Sequence, residues 1–283
     1  MADFFTHIKP STAGERLFQR IVAIGQQDLA SNRLGQQRFV RLTGRGVSFG
    51  SYLEGAMIAF AFKRVIKATH GIFRDKNADP AACNARLTAT LRDWFGWLDK
   101  EDLAVLVRDT LRAEGASNNP IPKSVETDIW HSRRVHRCCF CGNSLRADTG
   151  SVVRDEDGNK ATLEHVWPAS LGGDSIVENL VPACGRCNSE KRDLFTWEQG
   201  GIHDFIYPID FHLSDFLPRL PVAQRILLQR RAVVTLAQRE RITLKQALQR
   251  VGPYGAITAL DANDTWDIFN TQNHFDSLGE MLW

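Results

Sequence analysis

Two Cys-x-x-Cys pairs, Cys138/Cys141 and Cys184/Cys187, bracket a stretch that holds Glu164-His165, Pro168, Gly172-Gly173 and Asn179, and Asn188 follows directly on the last cysteine. Four thiolates in this pairing suit one tetrahedral zinc, because each two-residue gap lets a turn present both sulfurs to a single ion. Gly142 and Gly185 favour those turns. Cys138 rather than Cys139 is the expected ligand, since only 138/141 has the two-residue gap. A zinc closed by four cysteines has no position left for water, so hydrolytic chemistry needs a second site.

The residue types for one are present. His165 titrates near neutrality and can act as a base. Glu164 turns to the other side of the strand and offers a hard oxygen suited to Mg²⁺. Asn188 adds a neutral amide oxygen at the opening of the next helix. Asn179 falls in the return strand, where its amide can hydrogen-bond backbone and hold the loop after His165. A base for water and a cation for developing negative charge are what phosphodiester hydrolysis requires.

The segment LEHVWPASLGGDSIVENLVPACGRCNSEKRD resembles the HNH endonucleases of the ββα-metal class with a four-cysteine zinc, over residues 138–197. The resemblance implies that His165 is the general base, that Glu164 binds the divalent metal, that Asn179 orients the histidine loop and that Asn188 completes the metal site. It also implies a phosphate contact for Lys191. Glu164 stands where Asp is commoner, and Asn188 where His is commoner. Both keep an oxygen ligand and favour Mg²⁺ or Mn²⁺. The implied reaction is one-metal hydrolysis of DNA leaving 5′-phosphate and 3′-hydroxyl ends, and a single site in a monomer would nick one strand.

The rest of the chain must position these residues. Its 283 residues, 43% apolar and 24% charged, have the balance of an ordinary globular protein with room for more than one domain. Residues 11–30 read as a helix capped by Ser11 or Thr12, with Leu17, Ile21 and Ile24 on one face. Residues 36–50, with three glycines and three arginines, read as a loop or short hairpin. Leu53–Thr69 reads as a helix ending at Gly71, and two more helices follow Pro80. The run Ser117-Asn118-Asn119-Pro120-Ile121-Pro122 reads as a linker. The cluster Trp94-Phe95-Gly96-Trp97 is expected in a core. Val152–Leu163 reads as a hairpin and Asn188–Gln199 as a helix stopped by Gly200-Gly201. Leu220–Val251 reads as one or two basic helices. The expected fold is mainly α: a helical N-terminal domain over 1–128, a zinc-stabilised ββα-metal module over 129–200, and a helical C-terminal region over 201–283 with a basic helix and an acidic tail.

Net charge is +2, but it is segmented: +7 over 1–76, −3 over 77–128, −1 over 129–200, +4 over 201–250 and −5 over 251–283. A nearly neutral module must borrow phosphate-binding charge from its flanks. The expected contacts are Arg133, Arg134 and Arg137 beside the first cysteine pair, Arg33, Arg38, Arg41 and Arg45 at the N-terminal side, and Arg225, Arg230, Arg231, Arg239, Arg241 and Lys245 at the C-terminal side. The tail 261–283 lacks Lys and Arg and could cover a basic cleft. No apolar run reaches membrane-spanning length, the longest being Ala56–Phe62, and no signal-peptide core opens the chain. With metal-type cysteines, this predicts a cytoplasmic protein.

Three readings compete. The leading one is a DNA endonuclease, whose helical fusion suits a restriction or anti-phage system such as the Zorya type, with an activating protein partner. The others are a non-catalytic zinc module that binds nucleic acid, and an interbacterial toxin. Glu164-His165 argues against the second, since a binding knuckle has no use for it.

Overall fold

The computed structural model describes residues 7–32, 46–75, 77–131, 136–145, 160–196 and 221–256. Mainly helical, it has eight α-helices and a two-stranded sheet among these residues. Helix α1 (Ala13–Asn32) opens on a reciprocal cap. Glu15 Oε2 accepts from the Ser11 and Thr12 amides at 2.7 and 2.8 Å, and the Glu15 amide donates back to Thr12 Oγ1 at 3.1 Å. Helix α2 (Gly46–Ile72) carries on through Gly71, the expected terminator. It also begins inside the expected 36–50 loop, of which 36–45 lie outside the described residues. Helix α3 (Pro80–Trp94) has proline in its first turn, where the missing N–H costs nothing, and the Asp79 side chain as cap. Asp99 caps α4 (Lys100–Ser117) by accepting from the Asp102 amide at 2.8 Å. A short bend leads to α5 (Lys123–His131).

Strands β1 (Ala161–His165) and β2 (Leu180–Cys184) pair antiparallel, with Thr162 opposite Ala183, Glu164 opposite Val181 and His165 opposite Leu180. Helix α6 (Gly185–Lys191) follows β2 without a loop. The expected Asn188–Gln199 helix is thus corrected: it starts inside the second cysteine pair and stops at Arg192, whose φ of 47° leaves the helical region. The local cause is Cys184, whose Sγ accepts from the Cys187 amide at 3.4 Å and so acts as the N-cap. Of the expected hairpin, 152–159 lie outside the described residues, and Ala161–Leu163 pair with β2. The basic C-terminal stretch forms two helices, α7 (Val222–Glu240) and α8 (Leu244–Val251), the latter opened by a Thr243/Gln246 capping box. The acidic tail 261–283 lies outside the described residues.

One apolar cluster runs through all of this. It joins Leu17 and Phe18 of α1, Phe62 and Ile66 of α2, Leu91 of α3 and Leu106 of α4 to Trp167, Phe195, Val233 and Leu248. At its centre Trp167 lies 5.5 Å from Phe18, 5.7 Å from Phe62 and 4.9 Å from Phe195, ring centre to ring centre. The helical segment and the motif-bearing segment therefore share a core, and the expected linker is a bend at the edge of it. Phe95 belongs to this core, but Trp97 does not: it is 59% exposed and stacks edge-on against Phe95 at 5.6 Å. Among the described residues no helix is long and apolar enough to cross a membrane.

Candidate active site and metal centre

The Sγ atoms of Cys138, Cys141, Cys184 and Cys187 all lie within 4.8 Å of one another, and Cys141 and Cys184 are 3.9 Å apart. Zinc–sulfur bonds of about 2.3 Å in a tetrahedron put sulfurs about 3.8 Å apart, so the donor set fits the ion. Two turns build it. Gly142 takes φ +79°, and its amide donates to the Cys138 carbonyl at 2.9 Å. The second pair is folded into the first turn of α6. Hydrogen bonds from Cys141 and Cys187 lower the pKa of Cys138, and the same pairing, with the Cys138 charge, raises Cys141 and Cys187. A doubly charged cation removes that conflict and lets every thiol ionise. Cys139 points away from this cluster into the protein, where burial raises its pKa, and Cys83 packs in the helical core.

The second constellation is organised by the strand. Side chains alternate along β1, so Thr162 and Glu164 share one face and His165 takes the other. Helix α6 lies across the first face. Asn188 and Lys191, three apart and hence neighbours on the helix, each reach one of the two strand residues. Asn188 Nδ2 donates to Thr162 Oγ1 at 3.1 Å, and Lys191 Nζ donates to Glu164 Oε1 at 2.7 Å. The strand and helix thus bring Glu164, Asn188 and Lys191 together. Lys191 does not face outward to a phosphate, as the sequence leads one to expect. It is 2% exposed, because the Glu164 carboxylate is itself buried and needs a counter-charge. Burial raises Glu164 and lowers Lys191, each against the pull of its partner.

His165 meets different neighbours. Its Nε2 lies 3.1 Å from Ser175 Oγ. Burial, assisted by the Lys191 charge, lowers its pKa to about 4, a correction to the near-neutral titration expected from sequence: the imidazole is neutral at physiological pH but a weaker base than a free histidine. The loop that follows is held by Asn179, 1% exposed. Asn179 Oδ1 accepts from the Trp167 amide at 2.7 Å, and Nδ2 donates to the Trp167 and Asp174 carbonyls at 3.0 Å each. Three bonds to one loop backbone leave little freedom at Val166–Asp174.

The helical segment clamps the same loop. The Asp174 carboxylate accepts from the Ala13 amide at 2.7 Å, at the positive end of α1. The Gly14 amide donates to the Gly172 carbonyl at 2.7 Å, and Ser117 Oγ accepts from the Gly172 amide at 3.0 Å. Sequence reasoning missed Asp174, Ser175, Gly14 and Ser117. A polar residue beside Gly172-Gly173 was visible, but its partners lie more than fifty residues away.

Of the expected phosphate contacts, Arg133, Arg134 and the arginines at 33, 38, 41 and 45 lie outside the described residues. Arg137, exposed, donates to the Gly142 carbonyl at 3.2 Å in the turn of the first cysteine pair. Arg230 is a correction. It is 8% exposed and donates to the Phe195 carbonyl at 2.7 Å and the Val166 carbonyl at 3.3 Å, tying α7 to the module; burial lowers it to about 10. Arg225 lies over the Tyr254 ring at 5.6 Å, and Lys245 donates to the Val177 carbonyl.

No curated protein and no solved structure matches the chain. The family model of the HNH endonucleases matches residues 154–196. That range holds β1, the Asn179 loop, β2 and α6, while Cys138 and Cys141 reach the cluster from outside it. Residues 154–196 thus form an HNH-type module, joined to a four-cysteine cluster fit to hold a metal ion.

Proposed function

We propose that the protein is a metal-dependent DNA endonuclease. The observation that carries this reading is His165 itself: a neutral, half-buried imidazole at the end of β1, inside the segment matching the HNH family. His165 takes a proton from water, and the oxygen so activated attacks the phosphorus of a phosphodiester. Glu164 and Asn188 are the residues that would hold Mg²⁺ or Mn²⁺; Glu164 shares its face of β1 with Thr162, to which Asn188 bonds, and a carboxylate can serve Lys191 with one oxygen and a divalent ion with the other. Such an ion supplies positive charge for the phosphate and the leaving 3′-oxygen. Asn179 keeps the histidine loop in register. The four cysteines take zinc and hold shape. With one His165 per chain, a monomer cuts one strand and leaves a nick.

The test is a supercoiled plasmid incubated with Mg²⁺ and either wild type or His165→Ala. Nicked circle is expected from the wild type, with the variant slower by about 10²–10⁴-fold, the usual weight of a general base. Undiminished cutting by the variant would remove His165 from its role.

One observation favours a second reading, a non-catalytic zinc module that binds nucleic acid. Lys191 already neutralises Glu164 inside the protein, as a purely structural pair would. Inert wild type that still retains DNA in a salt-dependent manner would establish it.

For biological role we propose anti-phage defence or restriction, of which a Zorya-type system with an activating partner is one form. The support is architectural: a helical body sharing its core with the nuclease module. Plaque counts on a host carrying wild type should fall, and His165→Ala should restore them.

A further inference from the structure

Ser175 is 6% exposed and makes two contacts through one hydroxyl. Its Oγ lies 3.1 Å from His165 Nε2 and 3.0 Å from the Asn119 carbonyl oxygen. A serine hydroxyl carries a single proton. The Asn119 carbonyl can only accept, so that proton goes to Asn119. The remaining lone pairs of Oγ can only accept, so His165 Nε2 must be the donor. A neutral imidazole has one N–H, and a hydrogen bond that one ring nitrogen must donate fixes the proton there and leaves the other nitrogen bare.

We propose that Ser175, anchored by the Asn119 carbonyl, is a positioning residue that fixes His165 in the Nε2–H tautomer and leaves Nδ1 as the atom that takes the proton. This rests on the nuclease reading. In the step, a water O–H bond breaks, its proton forms a bond to Nδ1, and the electron pair stays on the oxygen that attacks phosphorus. Nε2 keeps its proton and its bond to Ser175 throughout. With the hydroxyl gone, Nε2–H loses the acceptor that favours it over Nδ1–H, and molecules in the Nδ1–H form have no lone pair at the reacting nitrogen.

The anchor belongs to the helical segment. Asn119 stands just past α4, its amide donating to the Ala116 carbonyl at 3.3 Å, and Ser117 two residues earlier accepts from the Gly172 amide at 3.0 Å. The turn 117–119 therefore touches the histidine loop twice, once to hold its backbone and once to set the histidine. This gives the helical part of the chain a place in the chemistry without touching substrate.

The experiment uses the full chain with zinc bound, Mg²⁺ withheld and ¹⁵N in its histidines. Long-range proton–nitrogen spectra at neutral pH report each ring's tautomer, and His165→Gln identifies the His165 signals. Expected are a protonated Nε2 and a bare Nδ1 in wild type, a mixed population in Ser175→Ala, and restoration in Ser175→Thr. In the plasmid assay Ser175→Ala should lower kcat about 10–100-fold with KM unchanged, the usual size of an indirect contact to a catalytic histidine, and Ser175→Thr should recover most of it. An Nδ1–H tautomer in wild type overturns the proposal, as does Ser175→Ala with wild-type spectra and turnover. Should Ser175→Ala fail to fold, the wild-type and Ser175→Thr spectra decide. A wild type inert on DNA would sink the nuclease reading alone, since the spectra are read without any reaction.

Discussion

Lys191 Nζ stands 2.7 Å from Glu164 Oε1, and neither side chain reaches solvent, at 3% and 9% exposure. Burial pushes both groups toward their neutral forms more strongly than mutual attraction holds them charged. The attraction thus offsets only part of the desolvation cost and the pair adds little stability of its own, while loss of either partner leaves a stranded buried charge. Lys191→Met should cost about 3–5 kcal/mol in denaturant unfolding, and Glu164→Gln combined with Lys191→Met should recover most of it. A single variant as stable as wild type would mean that the pair does not form.

The cysteine cluster makes a discriminating prediction. One zinc per chain is expected by metal analysis, lost in Cys138→Ser and in Cys184→Ser but retained in Cys139→Ser and Cys83→Ser. Cys184 has two tasks, ligand and cap of α6. Chelation should therefore melt α6 and release Asn188 and Lys191 from β1, visible as loss of amide-exchange protection over 180–191. Equal zinc loss in Cys139→Ser would reassign the ligand set.

These two sites show what the chain reveals by itself. The cysteine pairs and the strand–helix placement of Glu164, His165 and Asn188 rest on local spacing, and local geometry enforces them. The helix cap at Thr12 is legible for the same reason. Lys191 is not: four residues past a cysteine, a lysine reads as solvent-facing, and only the approach of α6 to β1 turns it inward. Nor is the clamp from Ala13, Gly14, Ser117 and Asn119, because each contact joins residues far apart in the chain. Arg230 misleads for a third reason. Its helix is basic and amphipathic, yet one arginine of it is needed inside to serve the Phe195 and Val166 carbonyls.

His70 Nε2 lies 3.0 Å from Glu114 Oε2, and the pairing raises the His70 pKa above its model-peptide value of 6.5. A group whose folded pKa is raised gives stability that is fully present below the unfolded pKa and disappears as pH climbs through the folded one. Thermal midpoints should therefore fall, as pH rises above about 6.5, by more in wild type than in His70→Gln, which has no imidazole to titrate. The side chain is 37% exposed, so the difference will be small and should shrink in salt. Parallel curves for the two proteins would contradict the pairing.

The contact between α1 and the histidine loop can be tested by adding one methyl group. A Cβ on Gly14 would come 2.1 Å from the Leu171 carbonyl oxygen and 2.4 Å from Trp167 Nε1, and neither can yield, since Trp167 Nε1 itself donates to that carbonyl at 2.8 Å. Gly14→Ala must then push α1 off the loop, breaking the Gly14–Gly172 bond and the Ala13–Asp174 bond together. A cost of about 3 kcal/mol or more is expected, in the range of an overpacked core. Gly71 is the control. It also lies in a helix, but a Cβ there meets nothing within 4 Å, so Gly71→Ala should be neutral or stabilise by about 0.5–1 kcal/mol through helix propensity. The informative comparison is cutting activity at a temperature where both variants stay folded. If the helical segment positions the histidine loop, Gly14→Ala loses plasmid nicking while Gly71→Ala keeps it. Equal activity would mean that the loop holds its geometry without the α1 contact.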